Sequence, residues 1–142
     1  MASHYIQFSC NLVLKSLADA TYATKLLELM RDDETLCLNM FSFDVSLLET
    51  TETSAILWLR DSYGDADLDA VLLYVARLAQ DVGSKGYWGF EYSRSCSKQQ
   101  MHEFGGGAFV LNLETGELEA WNATKDWLRN TIEQKYAARE AC

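Results

Sequence analysis

One run of the sequence places carboxylates at alternate positions, as a metal-binding loop would: Asp61-Ser62-Tyr63-Gly64-Asp65-Ala66-Asp67-Leu68-Asp69. A calcium loop of this kind also needs a glycine at position 6 and a bidentate glutamate at position 12. Counted from Asp65, these positions hold Ala70 and Ala76. The spacing therefore excludes a calcium loop and favours carboxylates that cap the start of the helix predicted to follow.

Acidic residues are concentrated in one stretch of the chain. Residues 28–69 contain eleven acidic and two basic residues, so this segment has a net charge of −9, equal to that of the whole 142-residue chain. Phosphate binding requires Lys and Arg side chains, and the sequence has no basic stripe. Direct nucleic-acid binding is therefore disfavoured, and the expected partner is a basic protein surface. The residues predicted to bind this partner are Asp32, Asp33, Glu34, Asp61, Asp65, Asp67 and Asp69.

A second candidate site lies between Ser95 and Gly107, a stretch that the sequence predicts to be a long loop. Its three consecutive glycines could bring backbone amides close to an anion. However, no Gly-Lys-Ser/Thr follows, and the next predicted element is a strand, so this is not a P-loop. The plainer interpretation is an inter-strand loop whose glycines adopt positive φ. The residues predicted to bind a small ligand are Arg94, Lys98, His102, Gly105, Gly106 and Gly107.

The remaining reactive residues do not form a recognisable catalytic or metal site. Cys96 and His102 could act as a thiol nucleophile and its base, but no third residue that would orient them is evident. With two histidines and four widely spaced cysteines, we expect no metal, no cofactor and reduced thiols. The sequence shows neither a signal peptide nor an apolar run of the roughly 20 residues that span a membrane. It therefore predicts a cytoplasmic protein without membrane contact.

Hydrophobic periodicity predicts the elements that position these residues. Apolar residues alternate in strands and recur at helical spacing in helices, the first of which is predicted to have Asp19 as its N-cap. The predicted order is strand 6–14, helix 19–30, strand 41–47, strand 55–60, helix 68–79, strand 87–94, a hairpin over 108–121 and a last helix. The first six elements follow the βαββαβ order of ferredoxin-like sandwiches, in which helices cover one face of an antiparallel sheet. The sequence thus predicts one α+β domain, residues 1–142, with an added C-terminal β-hairpin and helix.

Two functional hypotheses follow from these features. The first is a non-enzymatic acidic interaction protein, in its sharpest form a phosphate-mimicking inhibitor of a nucleic-acid-binding protein or nuclease complex, of the counter-defence type that phages and plasmids carry. The acidic segment motivates this hypothesis, although acidic surfaces also serve solubility alone. The second is a small-ligand-binding domain or modest enzyme that uses Gly105–Gly107. The sequence does not decide between them, and it leaves a homodimer open.

Overall fold

A computed structural model describes residues 4–33, 35–36, 41–97 and 104–140. Within these residues the chain forms an antiparallel six-stranded sheet and three helices, which confirms the predicted α+β class. In the part of the chain described, no helix is both long and apolar enough to cross a membrane. The elements in chain order are β1 (His4–Leu14), α1 (Leu17–Arg31), β2 (Phe43–Thr50), β3 (Ala55–Asp61), α2 (Leu68–Val82), β4 (Tyr87–Cys96), β5 (Gly105–Asn112), β6 (Leu118–Ala123) and α3 (Thr124–Glu140).

The strands lie in the order β2-β3-β1-β4-β5-β6, and all neighbours are antiparallel. Because strand directions alternate, one end of the sheet collects the start of β1, β2 and β5 and the end of β3, β4 and β6. We call this the Asp61 end, since β3 ends there at Asp61; β4 ends there at Cys96, on the other side of β1. The chain leaves β6 for α3 at the same end.

The core lies on one face of the sheet, beneath α1 and α2. Alternate strand residues such as Leu12 and Leu57, which face each other in neighbouring strands, are buried there. Tyr74 of α2 packs its ring against Phe43 at a centroid distance of 5.5 Å, and its hydroxyl donates to the Ala23 carbonyl of α1 at 2.7 Å. The two helices are antiparallel, so α1 ends and α2 begins at the Asp61 end.

Helix termini confirm one predicted cap and correct another. Asp67 caps α2 by accepting the backbone N–H groups of Asp69 and Ala70 at 3.0 and 3.3 Å, as the capping interpretation predicts. The prediction that Asp19 is the N-cap of α1 is wrong. Ser16 has the extended backbone that an N-cap requires, and its hydroxyl accepts the N–H of Asp19 at 3.2 Å. The acidic residue lies in the first turn instead, where it complements the helix dipole.

The prediction of a loop from Ser95 to Gly107 is wrong at both ends. Strand β4 continues to Cys96, and Gly105–Gly107 belong to β5, where none of the three has a positive φ. The glycines permit close backbone approach instead. A Cβ atom at Gly106 would lie 2.4 Å from the Tyr92 carbonyl oxygen, and one at Gly107 would lie 2.2 Å from the Asn122 carbonyl oxygen. Here the absence of a side chain serves strand pairing rather than a turn.

Candidate functional site

The predicted acidic residues that the structure describes lie at the Asp61 end, although they come from two separate parts of the sequence. Asp32 and Asp33 follow the end of α1, whereas the residues from Asp61 to Asp69 lie between the end of β3 and the first turn of α2. Glu34 lies outside the described residues. The predicted partner-binding residues that are exposed are Asp32, Asp33, Asp65, Asp67 and Asp69.

Asp61 differs from these residues because it is partly buried and bonded to the backbone. Its two carboxylate oxygens accept the N–H of Phe8, in the adjacent strand β1, and the N–H of Gly64, in the turn that follows β3. Both distances are 3.0 Å. Asp61 therefore fixes the turn onto β1, and both of its carboxylate oxygens take part in that structural role.

The other carboxylates divide into those used locally and those that remain available. Asp67 caps α2, and Asp33 accepts both the hydroxyl and the N–H of Thr35, which hold the pKa of its carboxyl below the usual range. The side chains of Asp32, Asp65 and Asp69 make no hydrogen bond or ion pair with any other described residue. These three carboxylates form the set that we call the free acidic group.

Intramolecular contacts occupy the two basic residues of the acidic segment. Arg31 donates to the carbonyl oxygens of Phe41 and Phe43 and lies 3.7 Å from the Asp44 carboxylate. Arg60 lies over the Trp58 ring, 4.0 Å from its centroid, and donates to Ser46. Neither arginine is paired with the free acidic group, so the negative charge at the Asp61 end is left uncompensated by these two bases.

Part of the second predicted site forms the wall of a cavity of about 430 Å³, also at the Asp61 end. Arg94, Gly105 and Gly106 line it, as three of the residues predicted for a small ligand. Gly107 is the next residue of β5 and pairs with Tyr92 and Ala123. Lys98 and His102 lie outside the described residues.

The sequence analysis did not assign Trp121 or Lys125 to this cavity, although both line it. Tyr92, Phe104, Trp121 and Lys125 come from β4, the start of β5, β6 and α3. Their juxtaposition depends on the register of three strands, for which the sequence carries no direct signal. The one available signal was the alternation of Tyr92 and Arg94 on β4, which places both side chains on one face.

The two candidate sites adjoin across the first strand. Ile6 of β1 pairs with Arg94 of β4 on one side and forms a parallel bridge with Asp65 on the other. Its N–H donates to the Gly64 carbonyl oxygen at 2.7 Å. A carboxylate of the free acidic group and a cation of the cavity are thus separated by a single strand.

Helix α3 is the most exposed element of the described structure. None of its 17 residues is buried. Its spacing groups Leu128, Ile132 and Tyr136 along one side, and these side chains are about half exposed, as is Trp127. Within the described chain no element buries this apolar stripe.

Cys10 lies on the core side of β1, and burial raises the pKa of its thiol to about 12. Only the thiolate reacts readily with alkylating reagents. We expect Cys10 in the native protein to react with iodoacetamide at pH 8 at least ten times more slowly than in urea, as measured by mass spectrometry of the Cys10 peptide. Equal rates in both states would show that the thiol is accessible and ionisable in the folded chain.

Among the residues that the structure describes, no group of three or more His, Cys, Asp and Glu side chains is placed to hold a metal ion. The described residues instead present two features at one end, carboxylates that Arg31 and Arg60 do not pair with and a cavity lined by aromatic and basic residues. No protein-family model, curated protein or solved structure matches this chain.

Proposed function

We propose that this protein is a non-enzymatic interaction protein whose Asp61 end docks on a basic surface of a partner protein. The observation that carries the proposal is the position of the free acidic group, Asp32, Asp65 and Asp69, at one end of the sheet, while Arg31 and Arg60 make other contacts. Opposite charge on a partner would steer association and set its orientation.

The rigid attachment of these carboxylates favours a phosphate-mimicking role. Asp32 is the C-cap of α1, Asp65 is held by a bridge to β1, and Asp69 lies in the first turn of α2. Because their backbones are fixed before binding, little conformational entropy is lost on docking. A partner that normally binds nucleic-acid phosphates offers the Lys and Arg side chains that such a surface requires. We therefore propose an inhibitor of a nucleic-acid-binding protein or nuclease complex, of the counter-defence type.

We infer further that the first six elements constitute a ferredoxin-like unit. In support, β1 lies between β3 and β4, β2 lies outside β3, and both α1 and α2 cover the same face. The hairpin strands β5 and β6 then extend the sheet beyond β4. Such a scaffold carries many unrelated activities, so the functional proposal depends on the site alone.

Charge reversal of the free acidic group tests the docking proposal. The partner would first be captured with the wild-type protein and purified. We expect Asp32→Lys, Asp65→Lys and Asp69→Lys together to lower the affinity for this partner about tenfold or more, which corresponds to roughly 1.4 kcal/mol. Affinity would be measured by biolayer interferometry. Asp67 is left unchanged because its loss would remove the cap of α2.

A matched control changes the same number of charges at the opposite end of the sheet. Glu52, Glu114 and Glu117 are exposed and lie in the β2–β3 and β5–β6 turns. Reversal of these three to lysine should leave the affinity unchanged. Equal losses for both triple variants, with folding verified by circular dichroism, would mean that net charge matters and the Asp61 end does not.

We also propose that a second copy of the chain covers α3. The support is the exposed stripe of Leu128, Ile132 and Tyr136, together with the position of β6 at the edge of the sheet. Dimer populations depend on protein concentration, so the test uses about 0.1 mM protein. Light scattering after size exclusion should then give the mass of a dimer. Leu128→Glu with Ile132→Glu should give a monomer.

Adding the same two charges to the polar side of α3, with Asn130→Glu and Gln134→Glu, should leave the dimer intact. A wild-type monomer at this concentration would contradict the dimer proposal, and so would dissociation by the control pair alone.

A further inference from the structure

The cavity at the Asp61 end has an aromatic wall that is fixed in place by the core. Tyr92, Phe109 and Trp121 stack across β4, β5 and β6, with ring centroids 5.3 and 6.0 Å apart and interplanar angles of 26° and 10°. The Trp121 indole N–H donates to the Tyr92 hydroxyl at 3.3 Å. Because Phe109 is buried, this ladder is anchored, yet Trp121 itself is 60% exposed and lines the cavity. An exposed, immobilised ring favours stacking of a planar group.

Gly105 forms part of the floor of the cavity, and its lack of a side chain leaves the floor open. Among the described residues, a Cβ atom at Gly105 would meet only the Thr124 hydroxyl, at 3.6 Å, which leaves room beside this residue for a ligand. Phe104, the residue before it, is 84% exposed and contributes a second ring to the lining. The resulting volume of about 430 Å³ falls within the range of small-molecule sites.

The charge of the lining is opposite to that of the protein as a whole. Arg94 and Lys125 both line the cavity, and neither makes a hydrogen bond or ion pair with another described residue. Among the described lining residues the one carboxylate, Asp126, lies 3.4 Å from the Arg129 guanidinium. Two cations without partners among the described residues, in a chain of net charge −9, mark a local preference for an anion.

We propose that this cavity binds a planar aromatic molecule that carries an anionic group, the ring stacking on Trp121 and the anion meeting Arg94 and Lys125. Nucleoside monophosphates and aromatic carboxylates share this chemistry. The site is distinct from the free acidic group and does not depend on the docking proposal.

Isothermal titration calorimetry with four probes tests the proposal and separates the two sources of ligand. AMP and 4-hydroxybenzoate carry both the ring and the charge, adenosine carries the ring alone, and inorganic phosphate carries the charge alone. We expect AMP or 4-hydroxybenzoate to bind at least tenfold more tightly than adenosine or phosphate, and the better of the two identifies the class. Absence of binding by both ring-and-charge probes at about 1 mM, the weak end of ligand affinity, would overturn the proposal.

Three variants assign the contacts. Arg94→Gln should lower the affinity for the anionic probe about tenfold while adenosine binding stays unchanged. Trp121→Ala should lower the affinities for AMP and adenosine alike. Gly105→Val should block the cavity. Trp127→Ala and Lys135→Gln change an exposed ring and an exposed cation of α3 outside the cavity, and they should have no effect. Each variant is checked for a native circular dichroism spectrum. If Arg94→Gln and Trp121→Ala bind the probe as tightly as wild type, the probe binds elsewhere and the assignment is overturned. This outcome does not depend on whether Gly105→Val folds.

Discussion

Replacing Asp61 with alanine is expected to lower the free energy of unfolding by about 3 kcal/mol, whereas Asp65→Ala should change it by less than about 0.5 kcal/mol. The Asp61 carboxylate accepts the N–H groups of Phe8 and Gly64 at 3.0 Å, and Phe8 is only 5% exposed. Hydrogen bonds to a charged group each contribute about 1.5–3 kcal/mol, and their removal leaves amides unsatisfied. Asp65 is exposed, and its side chain makes no such bond with the described residues.

Urea unfolding followed by circular dichroism measures both variants. Asp61→Asn supplies an intermediate case, because the amide keeps one acceptor oxygen but presents N–H groups where the second oxygen stood. We expect a loss between those of the other two variants. Equal stability of Asp61→Ala and Asp65→Ala would contradict the structural role assigned to Asp61 and return it to the surface available for a partner.

Replacing Gly107 with alanine is expected to lower the free energy of unfolding by about 2 kcal/mol, the range found when an added methyl group has no room. A Cβ atom there would lie 2.2 Å from the Asn122 carbonyl oxygen and 2.8 Å from the Tyr92 hydroxyl. The first of these is a backbone atom of β6, so relief requires β5 and β6 to separate. Among the described residues, the same substitution at Gly105 makes only an ordinary van der Waals contact, 3.6 Å from the Thr124 hydroxyl, and should cost less than about 0.5 kcal/mol.

This pair of glycine variants has matched chemistry and differs only in surroundings. Urea unfolding again provides the measurement, and the m-value should stay constant if both native states retain their compactness. Similar stabilities for Gly107→Ala and Gly105→Ala would show that β5 and β6 do not approach as closely as described.

Local sequence patterns were sufficient to predict the elements of this fold. Alternation of Phe8, Leu12 and Leu14 marks β1 because the other face of that strand stays polar, and the spacing around Val71 and Val75 marks α2. Asp67 and Gly83 delimit α2 as their types suggest. These signals depend only on neighbours in the chain, so they are readable without knowledge of the fold.

Contacts between distant parts of the chain were not predictable in this way. Asp61 bonds the N–H of Phe8, 53 residues earlier, and nothing in its own neighbourhood distinguishes it from Asp65. Gly105–Gly107 suggested a loop because glycine has low strand propensity, but pairing with β4 and β6 overrides that preference. The cavity likewise depends on the register that brings Arg94 and Trp121 to the same end of the sheet.

The salt dependence of association tests most directly whether the Asp61 end docks through charge. Between about 50 and 500 mM salt the Debye length falls from roughly 14 to 4 Å, which screens long-range attraction. We expect the association rate of the wild-type protein with its purified partner to fall steeply over this range in stopped-flow measurements. The Asp32→Lys, Asp65→Lys, Asp69→Lys variant should lose most of that dependence. A wild-type association rate that does not change with salt would contradict docking through charge. A charge-reversed variant that keeps the wild-type salt dependence would contradict docking through the Asp61 end.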